Sequence, residues 1–236
     1  MELEIRKSGI REWILDLFLP NVCPVCRRVM RWDLYCCEDC VKELEPIGEK
    51  QEKLLCPRCG KYVCVCAERG IRYDRCIAAG IYEGAVRKAV LSFKYDSNSN
   101  AAEIFAYICA KRIEKAVIPA DIITYVPMSA RKRRMRGYNQ AELFAEALSE
   151  KTGIPVRHGL LSRVYSVEEQ HERTASERIE SAGREYSAAE GAELAGERVI
   201  LCDDVLTTGA TMSSCAGILK DIGASEVTAV VCAGTL

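Results

Sequence analysis

The sequence predicts an α/β fold, a parallel sheet flanked by helices, preceded by a small cysteine-rich domain. Three observations predict it. From Cys76 to the C-terminus, apolar runs of strand length alternate with amphipathic runs of helical length, which is the order of a sheet whose parallel strands are joined by helices. The run 198–202 is apolar enough to be buried on both faces, as central strands of parallel sheets are. Nine of the fourteen cysteines fall between Cys23 and Cys66, so the N-terminal segment has a chemistry of its own. We expect a boundary near residue 75, with 1–75 forming an N-terminal helix and cysteine-rich unit and 76–236 the larger domain.

The elements follow in order. Ile10, Trp13, Ile14, Leu17 and Phe18 repeat at helical spacing, so 9–18 is expected to be an amphipathic helix stopped by Pro20. Cys23-Pro-Val-Cys26, Cys37-Glu-Asp-Cys40 and Cys56-Pro-Arg-Cys59 are C-x2-C knuckles, and Cys64-Val-Cys66 is a tighter pair. Thiolates at this spacing satisfy tetrahedral Zn2+ at ~2.3 Å, and a site closed by four of them has no open position for chemistry. Two consecutive zinc ribbons are expected: Cys23, Cys26, Cys37 and Cys40 in the first, Cys56, Cys59, Cys64 and Cys66 in the second, both structural. Cys36 is the alternative to Cys37, and Cys76 the alternative to one of the C-x-C pair. Strand 76–82, helix 84–94, a loop at 97–100, helix 101–116 and strand 121–126 come next. Asn139 opens a helix with Glu142 as its capping partner, an apolar stripe of Leu143, Phe144, Ala147 and Leu148, and Gly153 as its stop. Strand 198–202, helix 212–222 and strand 226–232 complete the alternation.

Length and charge narrow the functions available. A chain of 236 residues, 49% hydrophobic with net charge −1, has room for a full core and an accessory unit, and carries no long-range charge bias toward nucleic acid. No stretch approaches the ~20 apolar residues of a membrane span. The acidic start does not lead into a secretory signal, so a cytoplasmic location is expected.

Chemistry concentrates in residues 199–211. A buried-type strand ends in Asp203 and Asp204, and the chain then turns through Thr207, Thr208, Gly209, Ala210 and Thr211 into a helix. Hydroxyls and free backbone N–H groups at a helix N-terminus cradle phosphate, and Gly209 permits close approach. Two carboxylates beside that cradle need a hydroxyl-rich or metal-bound partner, and a ribose 5-phosphate meets both demands. A second stretch, 126–142, follows another strand and places Arg131, Lys132, Arg133, Arg134 and Arg136 within six residues, suited to a pyrophosphate or a nucleic-acid backbone. Tyr138 beside them stacks on a base or belongs to the core. Of the two histidines, His158 and His171, the second is read as a solvated side chain, with acid or base work as the alternative.

Residues 199–211 resemble the phosphoribosyl pyrophosphate signature of type I phosphoribosyltransferases. Taken with the two ribbons and Arg136-Gly137-Tyr138-Asn139-Gln140, the chain resembles the ComF family over nearly its whole length, a double zinc ribbon joined to a type I phosphoribosyltransferase-like domain. That resemblance implies that Asp203 and Asp204 hold the ribose 2- and 3-hydroxyls and that Thr207, Thr208, Gly209, Ala210 and Thr211 hold the 5-phosphate. Met128, Ser129, Arg131 and Arg136 would serve the pyrophosphate, and Mg2+ would accompany the ligand. The implied activity is pentosyl transfer to an unnamed acceptor. Some members act in competence and DNA uptake with a helicase on single-stranded DNA, so Arg131, Lys132, Arg133, Arg134, Arg136 and Tyr138 are also the nucleic-acid candidates. The family's mobile segment falls at Gln170 to Ser181, where Arg173 and Ser181 depart from its pattern.

Overall fold

The computed structural model describes residues 20–44, 56–60, 64, 66, 70–96, 98–164 and 185–235. The expected helix 9–18 and the segment with Gln170, His171, Arg173 and Ser181 lie outside them. The elements are β1 (Arg75–Ala78), α1 (Gly84–Tyr95), α2 (Asn100–Lys115), β2 (Ile122–Tyr125), α3 (Ala130–Arg136), α4 (Gln140–Thr152), β3 (Leu161–Arg163), β4 (Tyr186–Ala188), β5 (Arg198–Leu206), α5 (Ala210–Asp221) and β6 (Glu226–Gly234). Four strands form one sheet in the order β1-β6-β5-β2, every pair parallel. A parallel bridge from Ile123 to Val156 extends its β2 edge. β3 and β4 make a separate antiparallel pair.

The central strands are buried on both sides because each face has its own helical cover. Ile200, Cys202, Val230 and Cys232 face a cluster built with α1, α2 and α4. Their neighbours Val199, Leu201, Val227, Ala229 and Val231 face a second cluster with Met212, Cys215 and Leu219 of α5 and Tyr186 of β4. Alternate residues of one strand thus serve opposite layers, the period of two that an extended chain imposes. The first cysteine segment joins the α1/α2 layer through Val25, Met30 and Leu44.

The structure changes two expectations about the site and adds two elements that the sequence pattern does not predict. β5 does not end at Cys202. Its ladder with β6 continues from Asp203 opposite Val231 to Leu206 opposite Gly234, so the acid pair sits within the strand. Residues 130–136, to which the sequence pattern assigns no element, form the helix α3. Ser129 caps it, accepting from Lys132 N at 3.3 Å, and Gly137 at φ +82° ends it. Glu142 does not close a capping box: Asn139 Oδ1 accepts from Ala141 N at 3.1 Å, while Glu142 accepts from Tyr125 Oη and pairs with Arg133. The β3–β4 hairpin was not anticipated.

Candidate functional site

The acid pair lies at the carboxyl end of the sheet, where open α/β folds receive ligands. Asp204 Oδ2 is 3.0 Å from Lys94 Nζ at the end of α1, both side chains only 17% exposed. The Asp204 N–H donates to Asp203 Oδ1 at 2.8 Å. Burial, and then the neighbouring Asp204 carboxylate, push Asp203 up to about 7 from its ordinary 3.8; the Asp204 N–H, Lys94 and Lys132 oppose the rise. The two carboxylates are therefore unequal. Asp204 is held by a cation, and Asp203 holds its proton more tightly than an ordinary carboxyl does. Lys94 had no motif to announce it, because its partner lies 110 positions away in the sequence.

Past the acids, Leu206 is buried and the chain bends at Thr207, Thr208 and Gly209 into α5. Gly209 is the residue before α5 at φ +79°, a left-handed conformation that favours glycine. Thr208 Oγ1 accepts from Ala210 N at 3.3 Å, and Thr207 O accepts from Thr235 Oγ1 at 3.3 Å. Ala210 and Thr211 open the helix, whose first-turn N–H groups have no acceptor within it and sit at the positive end of its dipole.

The five cations of α3 separate. Lys132 acts electrostatically on Asp203, Arg133 pairs with Glu142 at 3.2 Å, and Arg136 donates to Gln140 Oε1 at 2.9 Å. Arg131 and Arg134 are exposed. Ser129 is buried as the α3 cap. Met128 lines a cavity of about 180 Å3 with Thr124, Tyr125, Arg133 and Leu161. Tyr138 belongs to the core side of this surface: its ring stacks on Phe93 at 5.8 Å, and its hydroxyl donates to Phe93 O at 2.6 Å. Gln140 Nε2 donates to the same carbonyl, and Asn139 Nδ2 donates to Val126 O. Residues 138–140 therefore fasten α4 to the ends of α1 and β2. The exposed aromatic here is Tyr95, 69% exposed, with the Arg136 guanidinium 5.4 Å over its ring. His158 meets Tyr125 Oη at 3.1 Å on the β2 edge. It forms a close group with Glu142 and Glu146 in which Arg133 already neutralises Glu142.

Cys23, Cys26, Cys37 and Cys40 bring their sulfurs within 4.8 Å of one another, as do Cys56, Cys59, Cys64 and Cys66. Four thiols at that mutual distance are the donor set of tetrahedral zinc, so both groups can hold Zn2+. Cys37 rather than Cys36 completes the first group; Cys36 Sγ stands 3.6 Å from Cys23 Sγ. Cys76 is outside the second group, buried in β1. The two knuckles share a backbone. Arg27 N donates to Cys23 O at 2.9 Å with φ +61° at Arg27, and Gly60 N donates to Cys56 O at 2.8 Å with φ +71° at Gly60.

Comparison with known proteins agrees with this layout. Residues 139–235 match the phosphoribosyl transferase domain family. The chain is 26% identical over 214 residues to competence protein F of Haemophilus influenzae, covering 88% of this chain and 87% of that protein. It is 25% identical over 227 residues to the DNA utilization protein YhgH of Salmonella typhi, covering 89% and 96%. Among solved structures it is similar to the glutamine phosphoribosylpyrophosphate amidotransferase of B. subtilis at 22% identity and a TM-score of 0.39, over 60% of this chain and 30% of that one. Among the described residues, no helix is long and apolar enough to cross a membrane. The chain is thus similar over most of its length to competence protein F and YhgH, and residues 139–235 match the phosphoribosyl transferase domain family.

Proposed function

We propose that the site binds phosphoribosyl pyrophosphate, or a ribose 5-phosphate group, together with Mg2+. One observation carries the reading: Asp203 and Asp204, in the last rungs of the ladder of β5, lead within three residues into a loop bent by Gly209 onto the N-terminus of α5. A vicinal diol needs paired acceptors, a phosphate needs N–H groups and hydroxyls, and the chain supplies both in that order. Asp203 and Asp204 accept from the ribose hydroxyls, and Thr207, Thr208, Gly209, Ala210 and Thr211 surround the 5-phosphate. Lys132, with Arg131 and Arg136 on the same short helix, faces the pyrophosphate side after Met128 and Ser129. Mg2+ would be held with the ligand beside Asp203 and Asp204, and would offset the negative charge of the leaving group. The reaction class is pentosyl transfer. Charge builds up as cationic character at C1, and the fixed acid pair stabilises it without reorganisation. The two zinc ribbons are structural in this reading, and residues 1–75 are an accessory unit to a domain at 76–236.

A second reading is favoured by Arg131, Arg134 and the Arg136–Tyr95 stack, which together expose cations and an aromatic face. These suit single-stranded DNA, and the names of the relatives, competence and DNA utilization, point the same way; a helicase as companion follows from the family resemblance alone. Calorimetry decides between the readings. Phosphoribosyl pyrophosphate with Mg2+ should bind, and Asp203→Asn with Asp204→Asn should weaken it by a few kcal/mol, since a hydrogen bond to a charged group is worth about 1.5–3. A short oligonucleotide that binds equally to wild type and this double variant, while phosphoribosyl pyrophosphate fails to bind, would favour the second reading.

A further inference from the structure

The second cysteine knuckle is built into the phosphate loop. Tyr73, 2% exposed, donates its hydroxyl to Cys59 O at 3.2 Å. The same hydroxyl lies 3.3 Å from where a side chain on Gly209 would begin. Gly60, the residue after Cys59, is pressed against the end of β5: a methyl there would collide with Cys76 Sγ and approach Leu206 Cδ2 to 2.9 Å. Cys76 N donates to Pro57 O at 2.8 Å, tying the knuckle to β1 as well. The chain leaving the group is sewn to α5, with Arg72 N donating to Ser213 Oγ at 3.0 Å and Arg72 pairing with Asp221 at 2.8 Å. Leu206 and Gly209 bracket the two threonines of the loop, and each lies beside a residue next to the second group, Leu206 beside Gly60 and Gly209 beside Tyr73.

We propose that metal occupancy of Cys56, Cys59, Cys64 and Cys66 sets the shape of the 207–211 loop through Tyr73 and Gly60, and thereby the affinity of the phosphate site. The physical basis is direct packing. A four-thiol metal fixes the path of Cys56 to Gly60. With Cys59 O fixed, Tyr73 Oη is fixed, and the turn at Gly209 has one position against it. Releasing the metal frees the knuckle and loosens the wall on which Leu206 and Gly209 rest. Coupling between two binding equilibria is reciprocal, so a phosphate ligand must also strengthen retention of this metal. The affinity part of the inference rests on the ribose 5-phosphate reading of the loop. The loop-order part does not.

The test uses the full chain. Cys64→Ser with Cys66→Ser should lower bound zinc from two ions to one, speed amide exchange at 207–213, and weaken ribose 5-phosphate binding by about 5- to 150-fold, the usual range of such coupling. Tyr73→Phe should keep both ions and move exchange and affinity in the same direction by a smaller factor. A one-ion variant with wild-type exchange and wild-type affinity overturns the proposal. If that variant fails to fold, metal release from wild type to a chelator is read with and without saturating ribose 5-phosphate: one release phase should slow, and unchanged release overturns the coupling. A wild type that binds no ribose 5-phosphate would sink the functional reading, and the exchange comparison would still decide whether the metal orders the loop.

Discussion

The two cysteine knuckles have one backbone and two environments. In the first, the residue after the second cysteine is Arg27, whose side chain is 70% exposed and reaches Asp96 at 2.6 Å. In the second it is Gly60, wedged between Cys76 and Leu206. The first knuckle joins the α1/α2 layer: Asn98 Nδ2 donates to Val22 O at 2.9 Å and Asn100 Nδ2 to Asn21 Oδ1 at 2.8 Å. It therefore stands behind the end of α1, which carries Lys94. The second stands behind the 207–211 loop on the α5 side. A left-handed turn is needed in both knuckles, but only contact with the core makes glycine mandatory. The two four-cysteine groups thus brace opposite flanks of the acid pair and the 207–211 loop.

The largest effect should come from testing that difference where space is tightest. Gly60→Ala adds a methyl at positive φ, about 1–2 kcal/mol by itself, and forces Cys76 and Leu206 aside, about 1–3 kcal/mol more. Denaturant unfolding should report a loss of roughly 2–5 kcal/mol, with weaker metal retention at the second group. A loss under about 1 kcal/mol would mean that the knuckle moves freely from β5.

Next comes the flank behind the first knuckle. Lys94→Met leaves Asp204 nearly buried beside Asp203 with its closest cation gone, and breaking such a pair from one side costs about 3–5 kcal/mol in fully buried cases, less at 17% exposure. Lys94→Met with Asp204→Asn should recover most of that loss, and a double-mutant cycle measures the recovery. Purely additive effects would show that Lys94 is not the charge that holds the acid pair.

What could be read in the sequence follows the same division. The alternation of strands and helices was legible because β5 and β6 are buried on both faces and must be apolar along their length. The acid pair and its threonine-glycine loop were legible because they are contiguous, as were the eight cysteines with their short spacings. The α3 helix was not read because none of its seven residues is buried, so no apolar periodicity marks it. Ser129 and Gly137 were its signals. β3 and β4 are three residues each, too short for an alternating pattern. Lys94 and Tyr73 were missed for another reason: each acts on a residue more than ten positions away, and nothing local records such a pairing.

The acid pair sits between the two flanks, and its proton is the third test. Asp203 is pushed up to about 7 in the folded protein from an ordinary 3.8. The folded state therefore holds this proton more tightly than the unfolded chain does. Its contribution to stability is fully present below about pH 4 and is lost as pH rises to about 7. Asp203→Asn cannot ionise, so its stability relative to wild type should be near zero at pH 4 and grow to roughly 1–3 kcal/mol above pH 7, at about 1.4 kcal/mol per unit less the share owed to coupling with Asp204. Ligand affinity should run the other way in wild type, rising from pH 5 to pH 8 as Asp203 ionises and accepts from the ribose hydroxyls. A stability difference that is flat across this window would show that Asp203 ionises as freely as an exposed carboxylate.

The smallest effect belongs to Arg27, the counterpart of Gly60. Arg27→Gly relieves a left-handed residue, worth about 1–2 kcal/mol. It gives up an exposed ion pair worth about 0–1 kcal/mol and adds backbone entropy to the unfolded chain, about 0.5–1 kcal/mol. These terms nearly cancel, so thermal unfolding should place the variant within about 1 kcal/mol of wild type, with the ion-pair part vanishing at high salt. Arg27→Ala keeps the left-handed strain and loses the pair, so it should be slightly less stable than wild type in low salt and equal to it in 1 M salt. Metal content and ribose 5-phosphate affinity should be unchanged in both, since Arg27 points to solvent and Asp96 rather than to the loop. If Arg27→Gly proved as damaging as Gly60→Ala, the knuckles would be equivalent after all, and the shared hydrogen bond to the first cysteine carbonyl, rather than contact with the core, would govern both turns.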